Sequence, residues 1–160
     1  DAFPPVPHKV RVFVSREGEI SCEFSPMDAA APGKPVRLRP AVKAVSSSNP
    51  FLYHKTTNRE VYETARTESG DCDDILFFNE LGEITETRIA NVAVRIDGEL
   101  MTPPVSCGLL PGVFRARLIE QGVIRERIIR LADLTGDEEV YVFNSVRKMR
   151  RAVLLGFRKT

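Results

Sequence analysis

The segment Tyr53-His54-Lys55-Thr56-Thr57-Asn58 sets a lysine between a short extended run and the start of a helix. An ε-amine can attack a carbonyl carbon or carry a proton when its surroundings keep part of it uncharged. A lone lysine is also ordinary surface decoration, and His54 beside it an ordinary polar residue. Further on, Pro111-Gly112-Val113-Phe114 opens a predicted helix. The free N–H groups of a helix start suit an anion, although a plain Pro-Gly helix start has the same sequence. No nucleophile elbow, phosphate loop of the Walker type or Gly-x-Gly-x-x-Gly run occurs. Cys22, Cys72 and Cys107 are widely spaced, form no Cys-x-x-Cys pair, and have only His8 and His54 as soft neighbours. That pattern argues against structural zinc and against a disulfide framework, and it suits a reducing cytoplasm.

These residues must be held by a mixture of strands and helices. Residues 9–25 form a predicted hairpin: Val10, Val12 and Val14 alternate with Lys9, Arg11 and Phe13, and Glu17-Gly18-Glu19 turns the chain. Residues 26–35, with three prolines, a glycine and an alanine run, read as a loop or linker. Short strands are expected at 36–38 and 42–45. Ser46-Ser47-Ser48-Asn49-Pro50 then marks a domain boundary, dividing the chain into 1–48 and 49–160. Residues 58–68 should be helical, with Val61, Tyr62 and Ala65 on one face. Strands are expected at 75–78, 83–86, 92–96 and 99–102, the last two joined by Asp97-Gly98, the strongest hairpin signal in the chain. Residues 103–110 form a loop, and the helix after Pro111-Gly112 runs to about 120 and stops at Gly122. Residues 124–130 alternate weakly, 131–136 make a short helical turn, and 140–143 and 152–155 are further strands. Hairpins interspersed with helices define an α+β fold, not a doubly wound sheet.

Bulk properties exclude some classes. The formal net charge of this 160-residue chain is +1, so no large field points to nucleic acid or to a membrane surface. The one basic cluster, Arg147-Lys148-Met149-Arg150-Arg151, is short and reads as a solvated loop or an anion contact. No apolar run approaches the roughly 18 residues of a membrane span, and no signal peptide is visible. The chain opens on Asp1-Ala2-Phe3-Pro4-Pro5, which reads as a cut from something longer.

Four segments in order carry a further signal. They are His54-Lys55-Thr56-Thr57-Asn58-Arg59; residues 79–92, Asn-Glu-Leu-Gly-Glu-Ile-Thr-Glu-Thr-Arg-Ile-Ala-Asn-Val; Gly108-Leu109-Leu110-Pro111-Gly112-Val113-Phe114-Arg115; and Val142-Phe143-Asn144-Ser145-Val146-Arg147. Their order and spacing resemble the class IV family of pyridoxal-phosphate enzymes, which includes branched-chain and D-amino-acid aminotransferases. The details are most similar to its 4-amino-4-deoxychorismate lyase branch, in particular the lyase module fused behind aminodeoxychorismate synthase. The resemblance implies a D-amino-acid-aminotransferase-like fold, with 49–160 as the large cofactor domain and 1–48 as the remnant of a small N-terminal one.

The resemblance also implies roles. Pyridoxal 5'-phosphate is the expected cofactor, with Lys55 bonding it covalently and then carrying protons. Glu86 is expected beside its pyridine nitrogen, keeping that nitrogen protonated so that the ring can accept electrons. Main-chain groups at Val113 and Phe114 are expected on the phosphate, as are Asn144 and Ser145 from a second turn. Arg59 is expected to hold an anionic group of the substrate, or else to form a surface salt bridge. The implied reaction converts aminodeoxychorismate to p-aminobenzoate and pyruvate, a step of folate biosynthesis, in a cytoplasmic homodimer. An aminotransferase acting on a branched-chain or D-amino acid is the alternative within the family. A non-catalytic domain retaining the fold for assembly or binding is the alternative outside it. One departure stands out: no segment matches the family's N-terminal phosphate-clamping arginine, so weakened cofactor binding is expected of these 160 residues taken alone.

Overall fold

A computed structural model describes residues 6–27, 34–68 and 70–157 of the chain. They fall into two compact units, residues 1–34 and 35–160. The expected boundary near residue 48 is therefore displaced to Lys34/Pro35. The reason is the strand Val36–Pro40, whose backbone bonds to two strands of the larger unit.

The smaller unit is the expected hairpin. Strand β1 (His8–Val14) pairs antiparallel with β2 (Ile20–Pro26). The Ser15 hydroxyl accepts the amides of Glu17 and Glu19 and so closes the turn. The Pro- and Ala-rich loop that follows lies largely outside the described residues.

The larger unit contains, among its described residues, strands β3 (Val36–Pro40), β4 (Asp74–Phe78), β5 (Ile84–Thr87), β6 (Asn91–Ile96), β7 (Glu99–Thr102), β8 (Arg125–Glu126), β9 (Val140–Asn144) and β10 (Lys148–Leu154). Helix α1 spans Glu60–Glu68 and helix α2 spans Val113–Glu120. The strand order is β5-β4-β3-β10-β9-β6-β7-β8, and β5 also pairs with β6. That last pairing closes six strands into a ring. Alternate residues of the ring form one buried cluster, including Leu38, Leu76, Val92, Val140 and Leu154. The opposite parity supplies two more. Ile75 and Phe77 pack with Tyr62 and Ala65 of α1, while Ala93 and Phe143 pack with Leu118 of α2. Each fully buried aliphatic side chain contributes about 1.5–3 kcal/mol. The two helices thus cover neighbouring stretches of one surface.

Most local expectations match. Asp97 and Gly98 both take positive φ, 52° and 82°, the geometry of a two-residue hairpin between Ile96 and Glu99. Helix α1 starts two residues later than expected, because the Thr56 hydroxyl accepts the Asn58 amide and holds that residue in a turn. Other expectations change. Residues 42–45 are not a strand; only Val45 bridges, to Asn79. Of residues 124–130 only Arg125 and Glu126 form a strand, alongside Met101 and Thr102, and Arg130 makes a single bridge to Glu83. The basic segment is not a loop: Lys148–Arg151 open β10 in register with Asn144–Tyr141. Met149 there packs toward Phe143, and Arg151 reaches Glu139 at 3.7 Å. Charged heads can stay wet while their stems lie along the sheet.

Candidate active site

Glu86 stands at the centre of the site. Leu76 faces Thr87 and Phe78 faces Ile84, so Thr85 and Glu86 together oppose Phe77. This bulge gives β5 one extra residue, a device that re-aims a side chain. Glu86 is buried at 6% exposure. Its carboxylate accepts the Tyr62 hydroxyl at 2.7 Å and the Leu110 amide, and the Asn91 side-chain amide lies at 3.5 Å. Burial pushes the carboxyl from its ordinary 4.5 up to about 7, opposed by the Tyr62 and Leu110 hydrogen bonds and by the charges of Lys55 and Arg59.

Lys55 and Arg59 therefore lie within electrostatic reach of Glu86. Lys55 is exposed and Arg59 half-buried. The Arg59 guanidinium lies over the Tyr62 ring, 4.6 Å from its centroid, and donates to the Arg88 carbonyl at 2.5 Å. It is not a plain surface salt bridge. Tyr62 packs edge-on against Phe77, with centroids 5.1 Å apart. Burial and the Glu86 charge drive its phenol far above its ordinary value, so the hydroxyl remains a donor at every physiological pH.

A row of strand partners leads from Glu86 to the anion-binding candidates. Glu86 pairs with Asn91, and Asn91 pairs with Phe143. The Asn91 amide also donates to the Leu110 carbonyl at 2.9 Å, which fixes the turn before α2. Gly112 is the N-cap of α2 and offers no capping side chain. A Cβ at Gly112 would overlap the Asn91 side-chain oxygen, so any larger residue there must displace it. The first-turn amides of α2, at Val113 and Phe114, belong to the groups a helix leaves without an internal partner. Val113 is 81% exposed, which leaves its main-chain N–H as the polar group it can offer. The Phe114 ring packs edge-on to Phe143. Lys148 brings the two turns together: its ammonium is 5.2 Å from the Phe114 ring centroid and 2.8 Å from the Ser145 carbonyl. The Asn144 side chain is occupied by its own turn, accepting the amides of Val146 and Arg147 and donating to the Ile89 carbonyl.

Tyr62, Asn91 and Lys148 were not legible as site residues. The helical period assigns Tyr62 to a core face, which is correct for its ring and silent about its hydroxyl. Asn91 lies inside a family-like segment but has no chemistry of its own at that spacing. Lys148 belongs to a charge cluster that the sequence alone reads as a solvated loop or an anion contact.

This geometry coincides with a family assignment. The model of the amino-transferase class IV family matches residues 2–155, and the chain belongs to that family. A protein of Schizosaccharomyces pombe named "Putative aminodeoxychorismate lyase" is 30% identical over 154 residues, covering 92% of this chain and 67% of that one. The aminodeoxychorismate lyase of Saccharomyces cerevisiae is also 30% identical, over 188 residues; the match covers 87% of this chain and 49% of the yeast protein. The crystal structure of a "Putative amino-acid aminotransferase" from Mesorhizobium loti superimposes with a TM-score of 0.87 at 38% identity, covering 92% of this chain and 73% of that one. The chain thus spans between about half and three quarters of these relatives. The fold is that of class IV aminotransferases, an α+β architecture. The family depends on pyridoxal phosphate, whose ring nitrogen, aldehyde and phosphate call for three different partners. A buried carboxylate, a nearby lysine and an uncapped helix start are a donor set that fits it. No helix of the described residues is long and apolar enough to cross a membrane.

Proposed function

We propose that the chain carries the cofactor-binding part of a 4-amino-4-deoxychorismate lyase. The observation that carries this reading is the buried Glu86 carboxylate under the charge of Lys55, in a chain whose curated relatives include two lyases. The bound cofactor supplies an electron sink. Glu86 would keep a proton on the ring nitrogen facing it. Main-chain amides of Val113 and Phe114, with the Ser145 hydroxyl and the turn shaped by Asn144, would hold the phosphate. The Lys55 amine would first hold the cofactor and then, once displaced by the substrate amine, carry the proton whose transfer lets pyruvate leave. The substrate ring becomes aromatic in that step, so the protein's task is orientation and proton handling. Arg59 would face a carboxylate of the substrate. The whole enzyme is read as a cytoplasmic homodimer, working with or fused to an aminodeoxychorismate synthase, and the hairpin of residues 8–26 as part of its small domain.

The test is pyruvate release from aminodeoxychorismate with no keto-acid acceptor present, alongside borohydride fixation and peptide mass mapping. Acceptor-independent pyruvate and a cofactor adduct on Lys55 support the lyase. Transfer that depends on an acceptor supports the second reading, an amino-acid aminotransferase, which the Mesorhizobium loti likeness favours. A chain lacking the adduct in the full-length protein would be a binding module.

A further inference from the structure

Glu86 has several neighbours, and they differ in what they can do for it. The positive charges of Lys55 and Arg59 act on it. Arg88, two residues along, is turned away toward Glu63 and Asp74, each at 3.7 Å. Asn91 is at the limit of hydrogen bonding to it, and its better contact is the Leu110 carbonyl. The Leu110 amide belongs to a loop that Asn91 itself fixes. Tyr62 makes a short hydrogen bond to Glu86, at 2.7 Å, from a helical position. Its ring is clamped between Phe77 on the sheet and the Arg59 guanidinium.

We infer that Tyr62 is a positioning residue that fixes the direction of the Glu86 carboxylate and keeps it ionised in a buried site. It acts through Glu86 and touches no reacting atom; its catalytic meaning rests on the function proposed above. A carboxylate with 6% exposure needs donors to remain charged, since burial alone favours the neutral acid. A neutral Glu86 could not stabilise a protonated ring nitrogen. Tyr62 is suited to the task because its hydroxyl does not ionise in the range where Glu86 does. The same helix follows directly on Lys55 and Arg59. The hydrogen bond therefore ties the lysine-bearing segment to the strand that carries the acid.

The experiment uses the ligand-free 160-residue chain labelled with 13C at glutamate carboxyls, the Glu86 signal being assigned with Glu86→Gln. Tyr62→Phe keeps the ring, the Phe77 contact and the Arg59 contact, and removes one hydrogen bond. The Glu86 titration midpoint should rise by about one to two pH units, the size expected for losing a hydrogen bond to a charged group. Replacing the tyrosines by 3-fluorotyrosine makes the donor stronger without removing it, and should lower the midpoint. The other two tyrosines donate elsewhere, Tyr53 to the Ser47 carbonyl and Tyr141 to Glu139, so they leave the Glu86 signal alone. Midpoints that do not move, or that move the same way in both samples, overturn the role of Tyr62 as more than packing. The fluorotyrosine arm decides the matter if Tyr62→Phe fails to fold. Both readouts are independent of the cofactor: absence of an adduct on Lys55 overturns the proposed function and leaves the titration result standing.

Discussion

Asn91 is the direct register partner of Glu86 across β5 and β6, and the same Asn91 amide donates to the Leu110 carbonyl at 2.9 Å. One side chain thus joins the buried acid to the turn that starts α2. Gly112 fits against the oxygen of that amide with no room for a methyl group. Gly112→Ala should cost about 1–3 kcal/mol in urea denaturation, the usual cost of forcing an atom into a filled space. In an Asn91→Ala background the cost should shrink to less than half. An unchanged cost in the double-mutant cycle would mean the two residues are not coupled.

The Glu86 carboxyl has its folded-state value raised from 4.5 to about 7. The folded chain then holds this proton more tightly than the unfolded one. The stabilisation is fully present below about pH 4.5 and is lost as pH rises through about 7, where the carboxylate must stand ionised in a buried site. The arithmetic gives about 3 kcal/mol across that window for the ligand-free chain. Glu86→Gln should flatten this part of the stability-against-pH curve. A curve of the same slope in both proteins would contradict the assignment.

Removing Lys55 should have two separable effects. Lys55→Ala should abolish cofactor fixation by borohydride and lower turnover about 100-fold or more, as befits loss of the group that moves the proton. The same change removes a positive charge facing Glu86, so the Glu86 midpoint should rise further above 7 in the 13C titration. Activity loss without a midpoint shift would separate the lysine from the acid.

Arg115 lies in the first turn of α2 and is buried at 4% exposure, between the Pro103 carbonyl and Glu126. Glu126→Gln leaves a buried guanidinium without its counter-charge and should cost about 1–3 kcal/mol in denaturant midpoint. Because this pair holds the helix start in place, cofactor affinity should fall with it. Stability loss with undiminished affinity would detach the helix start from the phosphate.

Turns and periods were legible in the sequence. Asp97-Gly98, the hairpin of residues 9–25 and the helix after Pro111-Gly112 are local events, and local residue chemistry decides them. The ordered segments around Lys55, Glu86, Phe114 and Ser145 were enough to bring the family into view. The strand at 42–45 and the boundary near 48 were misjudged for a related reason. A strand at 36–38 is legible locally, but its partners β10 and β4 are not, since they lie far along the chain.

What the sequence determined by itself is therefore most of the local elements and the ordered segments that point to the family. Only the tertiary structure decided that Glu86 is buried, that a bulge opposite Phe77 aims it, and that Tyr62, Asn91 and Leu110 surround it. Those partners come from three separate stretches, brought together by closure of the strand ring between β5 and β6. The ionisation of a carboxyl depends on what displaces water around it. That is a property of the assembled fold and is written at no single position of the chain.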